Sequence, residues 1–303
     1  MFPVHRHPEV AQALDEGRPV VALESTLLAH GLPRPGNVET GRELEDAVRR
    51  HGATPATIAV LDGVAHIGLS GQDLERICSD PDLTKLGLRD VPVAAGLGRS
   101  GATTVASTAA LARTAGISVF ATGGIGGVHH GARDTFDESA DLDVLARTRI
   151  VLVCAGAKSI LDIPATLQRL ESLSVPVIGY RTFAFPGFYL TESGSTVDWR
   201  CDTPDEVAQI FAAADGFSDA ALIVANPLPM DRQLDPAVHD TVLRYALGAA
   251  VEAGVTGGDV TPYVLERLHI ASNGLTQEVN VDLVLRNAAL AAEIAVAVAA
   301  TEQ

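Results

Sequence analysis

Two lysines are the first candidates for covalent chemistry in this chain. Lys85 and Lys158 are the only lysines among the 22 Lys and Arg residues. A lysine amine can lose its proton, attack a carbonyl-like carbon and form a Schiff base, whereas an arginine guanidinium stays protonated. Lys158 follows an apolar run, residues 151–154, and a turn of small residues. The alternative to a catalytic role is a coding bias toward arginine that left two lysines by chance.

The predicted surroundings of Lys158 favour a reactive amine. A helix is predicted over residues 159–173, which places Lys158 beside the positive end of a helix dipole, where an ammonium ion is disfavoured. Burial after an apolar strand disfavours the charged form in the same way. The sequence therefore favours Lys158 as a nucleophile over a solvated helix residue.

A carboxylate lies directly after another apolar run. Glu24 follows residues 20–23, so we expect it at the partly desolvated end of a buried strand. Desolvation raises the pKa of a carboxyl group toward the range that suits a general acid. A helix N-cap or an ion pair is the more ordinary role for such a residue. The segment that follows, residues 26–35, contains His30 and two prolines and is predicted to form a stiff loop over a pocket.

The segment Gly-Leu-Gly-Arg-Ser-Gly, residues 96–101, lies between a predicted strand and a predicted helix. Backbone N–H groups of such a turn, together with Thr103 and Thr104 at the helix start, are predicted to bind a phosphate. A dinucleotide site would also need an acidic residue about 20 positions further on. Gly123 and Gly124 stand there instead, which argues against NAD. An ordinary glycine-rich turn is the alternative.

A second glycine-rich run, residues 123–127, precedes a group of possible metal ligands. These are His129, His130, Asp134, Asp137 and Asp141. Hard oxygen ligands of this kind favour magnesium or manganese over zinc. Aspartates near helix starts are also common as caps, which is the alternative.

Short β-branched runs alternate with helical patterns along the chain. Strands are predicted at 18–23, 57–61, 91–95, 119–122, 150–154, 177–180 and 221–225, and helices at 38–51, 71–79, 103–114, 159–173, 205–214 and 235–253. This alternation predicts an α/β fold, a mostly parallel sheet with helices on both faces, as a single domain over residues 1–303. Ligands of such sheets bind beyond the carboxyl ends of the strands, where the candidate residues are expected.

Composition excludes several classes of protein. A net charge of −16 argues against a nucleic-acid groove, which needs a basic face. The chain opens without the pattern of a signal peptide, and the apolar stretch 282–300 carries Arg286, Asn287 and Glu293, which are costly in a bilayer. Three widely spaced cysteines without a CxxC pair are typical of reduced thiols. The sequence therefore predicts a cytoplasmic protein that binds neither nucleic acid nor membrane.

Several longer motifs narrow the function further. They are Ala-Leu-Glu-Ser-Thr (22–26), Ala-His-Gly (29–31), Asn-Val-Glu-Thr (37–40), Gly-Ala-Thr-Thr-Val (101–105), Ala-Thr-Gly-Gly-Ile-Gly-Gly-Val-His (121–129), Cys-Ala-Gly-Ala-Lys-Ser-Ile-Leu-Asp (154–162), Ala-Asn-Pro (225–227) and Thr-Pro (261–262). Together they resemble the pseudouridine-5′-phosphate glycosidase family over almost the whole chain.

The resemblance implies the reversible conversion of pseudouridine 5′-phosphate and water to uracil and ribose 5-phosphate. It implies that the Lys158 amine attacks C1′ of the ribose, that the sugar ring opens, and that an imine-type adduct forms. Glu24 matches the family's proton donor. The bond that breaks joins two carbons, so protonation of a leaving oxygen or nitrogen is not available.

The resemblance also implies the substrate contacts, the metal and the assembly. The implied substrate-binding residues are Lys85, which would hold the phosphate, and Thr104, Val105, Ser139, Asp141 and Asn280. Asp137 matches a ligand of Mn²⁺, with water completing the metal shell. Relatives in the family form homotrimers. The chain departs from the family pattern at His130, where an arginine is expected. A Schiff-base sugar-phosphate lyase or aldolase and a non-catalytic sugar-phosphate-binding protein are the alternatives.

Overall fold

The computed structural model describes residues 2–255 and 260–301, and its strands form one sheet. The eleven described strands are β1 (Val4–Arg6), β2 (Val20–Glu24), β3 (Thr54–Leu61), β4 (Val64–Ile67), β5 (Thr84–Leu86), β6 (Gly101–Thr103), β7 (Val119–Ala121), β8 (Val151–Cys154), β9 (Val177–Tyr180), β10 (Trp199–Cys201) and β11 (Leu222–Ala225). Their order is β1-β4-β3-β2-β7-β8-β11-β9-β10, with β6 beside β3 and β5 beside β6. Only β3–β4 and β3–β6 are antiparallel among these pairs.

Twelve described α-helices surround the sheet. They are α1 (Pro8–Asp15), α2 (Gly36–Arg50), α3 (Gly71–Ser79), α4 (Val91–Gly96), α5 (Val105–Ala115), α6 (Ala132–Thr135), α7 (Ala140–Leu145), α8 (Ile163–Ser172), α9 (Pro204–Ala213), α10 (Pro236–Glu252), α11 (Val260–Ala271) and α12 (Leu275–Thr301). Residues Leu27–Gly31 add a single π-helical turn after β2.

Helices cover both faces of the sheet, as the sequence predicts. All residues of β2, β3, β8 and β11 are buried, which requires cover on both sides. α12 packs on β2, β7 and β8 and against α2 and α9, whereas α5 packs on β2, β3 and β4 and against α7. The predicted α/β fold with a mostly parallel sheet is therefore confirmed.

One helix in the described part of the chain, α12, is long and apolar enough to cross a membrane. However, 61% of its most apolar window is buried inside the protein. Leu283, Val284 and Ala288 are among its buried residues, and Arg286 Nε donates a hydrogen bond to Asp282 Oδ2 at 3.0 Å near the surface. α12 is therefore the central helix of the core.

Two element predictions are wrong in ways that affect the site. Residues 91–95 form α4, not a strand, because Pro92 fits the first turn of a helix, where no backbone N–H is needed. The helix predicted from residue 159 begins at Ile163, because Asp162 caps it by accepting a hydrogen bond from the Ala165 N–H at 3.0 Å. Lys158 therefore lies in the preceding loop and not beside the helix dipole.

Candidate active site

Four parallel strands end at the same edge of the sheet and bring the candidate residues together. β2, β7, β8 and β11 are neighbours in the sheet. Glu24 is the last residue of β2, Thr122 follows β7, the loop 155–158 follows β8 and Asn226 follows β11. This is the edge at which the sequence predicts a ligand site.

Glu24 is a buried carboxyl group with a hydroxyl partner. It is 6% exposed, and its Oε1 accepts a hydrogen bond from Thr122 Oγ1. Burial raises the pKa of Glu24, and this effect exceeds the opposing effects of the Lys158 charge and the Thr122 hydrogen bond. The group therefore holds its proton to higher pH than an ordinary glutamate, which suits a general acid.

Lys158 is half-buried in a loop that the surrounding backbone holds in place. Its N–H donates to the Ile125 carbonyl at 3.1 Å, and its own carbonyl accepts from the Leu161 N–H at 3.0 Å. Gly156 has φ +84°, and a side chain there would approach within 2.5 Å of the Pro186 carbonyl oxygen. Burial raises the pKa of Glu24, and the charge of Lys158 is the largest of the effects that lower it. Lys158 and Glu24, the two predicted catalytic residues, therefore lie near each other in one site.

Asp141 and Ser139 lie at the start of α7 and connect it to α5. Asp141 is buried, and its carboxylate accepts from the Ala106 N–H at 2.9 Å and from the Gly126 N–H at 2.8 Å. Ser139 Oγ in turn accepts from the Asp141 N–H at 3.2 Å. Val105 is the first residue of α5. The structure therefore brings these predicted substrate contacts to one point at the beginning of α5.

The predicted phosphate loop at residues 96–101 is wrong. The segment follows α4 and leads into β6, so it is not a turn from strand to helix. It packs on the β3–β4 turn, where Ser100 Oγ accepts from the Asp62 N–H at 2.9 Å. Thr103 is buried, and its hydroxyl donates to the Ile58 carbonyl at 2.6 Å, so it faces the sheet. Of the two threonines predicted at the start of the helix, only Thr104 lies there, as the N-cap of α5.

Lys85 is exposed on the short edge strand β5, not at the end of a buried strand. Burial lowers the pKa of His30 and of His129, and the charge of Lys85 lowers both further. The same charge lowers the pKa of Glu24, against the larger effect of burial. Lys85 therefore adds positive charge to the same edge of the site.

Asn280, a predicted substrate contact, lies within α12. Its side chain is 6% exposed, and Oδ1 has no hydrogen-bond partner among the described residues. Oδ1 lies 3.6 Å from the position that a Cβ on Gly123 would occupy. A buried amide oxygen of this kind is available to a ligand.

The predicted metal ligand Asp137 lies half-buried between α6 and α7. Its carbonyl accepts from the His129 N–H at 3.0 Å, and burial lowers the pKa of His129, which favours the neutral imidazole. Over residues 2–255 and 260–301, no group of three or more His, Cys, Asp or Glu side chains is placed to hold a metal ion. Asp141, one of the other candidate ligands, already accepts two backbone N–H groups.

Three residues at the site have no role in the sequence-based interpretation. Thr122 donates to Glu24, and the Thr122 carbonyl accepts from Asn287 Nδ2 at 2.8 Å. Asn226 Nδ2 donates to Asn287 Oδ1 at 3.0 Å. Thr122 and Asn226 lie within the motifs 121–129 and 225–227 quoted above. Asn287 is a polar residue inside an apolar helix, and this is the feature of the sequence that could have identified it.

Gly126→Ala should lower the free energy of unfolding by about 1–3 kcal/mol, the usual cost of crowding a packed, hydrogen-bonded site. A Cβ at this position would lie 2.7 Å from Asp141 Oδ2 and closer still to Ser139 Oγ, so the Asp141 carboxylate must move. Gly96→Ala is the matched control, because nothing lies within 4 Å of a Cβ there. Chemical denaturation measures both variants, and equal stabilities would contradict the prediction.

Comparisons with known proteins agree with this architecture. A sequence model described as indigoidine synthase A like protein matches residues 9–297. The pseudouridine-5′-phosphate glycosidase of Salinispora tropica is 54% identical over 303 residues, covering 99% of this chain and 94% of the relative. The enzyme of the same name from Streptomyces griseus subsp. griseus is 57% identical over 293 residues, covering 96% of this chain and 91% of the relative.

Solved structures share the fold over nearly the whole chain. The crystal structure of the prealnumycin C-glycosynthase AlnA in complex with ribulose 5-phosphate has a TM-score of 0.92 at 36% identity, covering 100% of this chain and 99% of that chain. An indigoidine synthase A-like protein from Thermotoga maritima has a TM-score of 0.88 at 36% identity, covering 97% and 96%. The chain therefore belongs to the indigoidine synthase A-like family and, within it, to the pseudouridine-5′-phosphate glycosidases that its motifs resemble.

Proposed function

We propose that the protein is a pseudouridine-5′-phosphate glycosidase, which reversibly cleaves pseudouridine 5′-phosphate with water to uracil and ribose 5-phosphate. The observation that carries the proposal is that Lys158 and the buried carboxyl group of Glu24 lie at the same edge of the sheet, near enough for the Lys158 charge to lower the pKa of Glu24 against the larger effect of burial. Relatives of this name that are more than half identical, and a neighbour that binds a pentulose phosphate, support the substrate class.

The first half of the reaction opens the sugar ring. The nitrogen of the neutral Lys158 amine attacks C1′, the C1′–O4′ bond breaks, and Glu24 gives its proton to O4′. The attached nitrogen then loses a proton to the Glu24 carboxylate. The result is an open-chain sugar bonded through C1′ both to Lys158 and to C5 of the uracil ring, with Glu24 protonated again.

The second half breaks the carbon–carbon bond. Glu24 protonates C5, the C1′–C5 electron pair forms the new C5–H bond as uracil leaves, and the lone pair of the Lys158 nitrogen forms an iminium with C1′. Water adds to C1′ and gives a proton to Glu24. Glu24 then protonates the Lys158 nitrogen, the electron pair of the C1′–N bond goes to that nitrogen as the bond breaks, and the C1′ hydroxyl gives its proton back to Glu24. Ribose 5-phosphate leaves as the aldehyde, Lys158 is again an amine, and one water molecule has been consumed.

The remaining predicted contacts keep their proposed roles. Lys85 supplies a compact positive charge for the phosphate, and Thr104 and Val105 contact the substrate from the start of α5. Ser139 and Asp141 contact the sugar, because a carboxylate that accepts two N–H groups still has lone pairs for a sugar hydroxyl. Asn280 Oδ1, which lacks a partner among the described residues, accepts an N–H of the base.

We also propose Asp137 as the protein ligand of one Mn²⁺ per subunit. Because no group of three or more acidic, His or Cys side chains in the described ranges is placed to hold a metal, the proposed site relies on the hard Asp137 carboxylate with at most one further such side chain. Such a site leaves water molecules or substrate oxygens in the other positions. A bound divalent cation would supply positive charge beside the phosphorylated sugar.

Asp137→Asn should raise the Mn²⁺ concentration that gives half-maximal activity roughly 10-fold or more, because the amide removes the charge that attracts the cation. Uracil release is measured against added Mn²⁺ after treatment with a chelator, and the paramagnetic resonance signal of free Mn²⁺ reports binding independently of activity. Asp134→Asn is the matched control, since Asp134 is an exposed aspartate nearby in α6. Identical Mn²⁺ titrations of the two variants would exclude Asp137 as the ligand.

Uracil release from pseudouridine 5′-phosphate by the wild-type protein tests the proposed function. Chromatography should detect uracil and ribose 5-phosphate in equal amounts when Mn²⁺ is present. The absence of uracil would overturn the proposal. A Schiff-base lyase or aldolase would instead cleave the carbon chain of a sugar phosphate, and a panel of sugar phosphates with borohydride trapping distinguishes it.

We also propose that the protein is a cytoplasmic homotrimer. Light scattering of the purified protein tests whether it is a trimer. All three cysteines are buried and free. Burial raises the pKa of Cys78 to about 11 and that of Cys154 to about 12, so neither thiol is readily ionised. Free thiols of this kind are compatible with a reducing compartment.

A further inference from the structure

A cavity of about 580 Å³ lies between residues 30–33 and the helices α11 and α12. Its lining is more apolar than polar and includes four aromatic rings. The rings belong to His30, Tyr189, Tyr263 and His269. Mostly apolar clefts with a few polar groups are typical of sites for aromatic ligands.

The cavity adjoins the proposed reaction site through two of its wall residues. Asn280 lines it, and Asn280 Oδ1 lies 3.6 Å from the Cβ position of Gly123, the residue after the Thr122 that donates to Glu24. His30 lines it as well and is within electrostatic reach of Lys85. An aglycone bonded to a sugar at Lys158 therefore has access to this space.

Two buried polar atoms in the wall have no partner among the described residues. They are Asn280 Oδ1 and His269 Nδ1. In contrast, His30 Nε2 lies 2.8 Å from the Leu83 carbonyl, which fixes the orientation of that ring. Buried polar atoms are rarely left unpaired, so the two free atoms indicate a ligand that carries polar edges as well as an apolar body.

The volume exceeds the needs of uracil. Pockets of about 300–1,000 Å³ hold ligands of several rings and bury most of their surface. Uracil is a single six-membered ring, so much of a 580 Å³ cavity stays unfilled when uracil is the aglycone. The structure therefore offers space for a group attached to the base.

We propose that this cavity binds an aromatic substituent on the base, so that the enzyme forms and cleaves C-ribosyl 5-phosphates of N1-substituted uracils. The inference rests on the proposed function. C5 of the base is joined to the sugar, and N1, two positions round the ring from C5, can carry a substituent that points away from the sugar and into the cavity. The lone pair of an alkylated N1 still conjugates with the C5–C6 double bond, so C5 stays nucleophilic.

The synthetic direction needs only ribose 5-phosphate and the substituted base. Lys158 condenses with the aldehyde and releases water, and C5 of the base attacks the resulting iminium carbon to form the C1′–C5 bond. The C5 proton passes to the Glu24 carboxylate. Glu24 then protonates the Lys158 nitrogen, O4′ attacks C1′ and displaces the neutral Lys158 amine, and the O4′ proton returns to the Glu24 carboxylate. No oxidant or reductant is consumed.

The test compares uracil with 1-benzyluracil as acceptors for ribose 5-phosphate, with products detected by liquid chromatography and mass spectrometry. We expect the two coupling rates to agree within about 10-fold, because a pre-formed apolar space imposes little penalty on an added ring. Coupling of uracil without any coupling of 1-benzyluracil would overturn the inference alone. Failure of uracil itself would overturn the proposed function and the inference with it.

A matched pair of variants on α12 locates the substituent. Gln277 lines the cavity and Glu278, the next residue, is exposed and does not. Gln277→Trp should lower the coupling rate of 1-benzyluracil relative to that of uracil by roughly 10-fold or more, because the indole fills the space. Glu278→Trp should leave this ratio at the wild-type value. An unchanged ratio in Gln277→Trp would show that the substituent lies elsewhere and would contradict the inference.

Discussion

Lys158→Ala lowers kcat for uracil release by on the order of 10⁴-fold or more, because no other group supplies the amine that forms the covalent adduct. Lys158→Arg gives the same loss, since a guanidinium stays protonated and cannot attack C1′. Lys158 is half-buried in a loop, so both variants should fold. Circular dichroism checks the fold, and a continuous assay of uracil measures the rate.

Lys85→Arg is the control for charge at the same edge of the site. It keeps a positive charge near the phosphate, so we expect a KM increase of roughly 10-fold or less with most of kcat retained. Borohydride reduction in the presence of ribose 5-phosphate should modify the wild type and Lys85→Arg, at a peptide containing Lys158. Full activity in Lys158→Ala, or trapping at another residue, would refute the covalent mechanism.

Glu24→Gln lowers kcat by about 10²–10⁴-fold, the usual contribution of a positioned acid. The amide is nearly isosteric and can keep a hydrogen bond with Thr122, so the fold should persist. In the wild type, burial raises the pKa of Glu24, so kcat/KM should decline as pH rises through that raised value and the carboxyl group loses its proton. A pH–rate profile measures this decline, and a wild-type profile that stays flat from acid to alkaline pH would contradict the role.

The same pKa shift predicts how stability depends on pH. The folded protein holds the Glu24 proton more tightly than the unfolded chain, so the stabilisation is present below the ordinary glutamate pKa and is lost as pH rises through the raised one. Because Glu24→Gln has no proton to lose, its free energy of unfolding should fall less than that of the wild type over this range. Denaturation at a series of pH values measures the difference. Parallel curves for the two proteins would show that Glu24 is not the responsible group.

Thr122 offers a second way to move this titration. Its hydroxyl donates to the Glu24 carboxylate and lowers the pKa of Glu24 against the effect of burial. Thr122→Val therefore raises that pKa further, and the alkaline decline of kcat/KM should move to higher pH. Thr122→Ser retains the hydroxyl and should leave the profile in place. The comparison separates a role in protonation from a role in packing.

The parallel part of the fold is readable from the sequence because its strands are short, apolar and separated by amphipathic helices. Strand 177–180 and helix 71–79 have the predicted bounds, and Glu24 and Lys158 follow strands as expected. The region 91–103 is not readable in this way. An apolar run with a proline fits a strand or a helix start. The strand β6 pairs with β5 and with β3, and both partners are distant in sequence. The glycine-rich pattern between the apolar run and β6 therefore predicts a turn from strand to helix, whereas residues 96–101 lead from α4 into β6.

The residues of the candidate site also differ in how well the sequence predicts their positions. Residues at strand ends, such as Glu24, can be placed from local pattern alone, because burial and strand direction decide their surroundings. Asn287 reaches the Thr122 carbonyl across 165 positions of sequence, and no local signal encodes that contact. The position of Asn280 within α12 also depends on how the helix packs over Gly123. Contacts between residues that are distant in sequence, more than the secondary-structure propensity of each segment, therefore determine the rest of the site.

α12 has a consequence for how the protein is made. It covers β2, β7 and β8, yet the ribosome synthesises it after every one of these strands. A nascent chain therefore carries an apolar sheet face without its cover until α12 emerges. Asn287, which holds the peptide beside the proposed acid, arrives on the same helix. We therefore expect this sheet face to be covered and the Asn287–Thr122 contact to form together, once α12 has been synthesised.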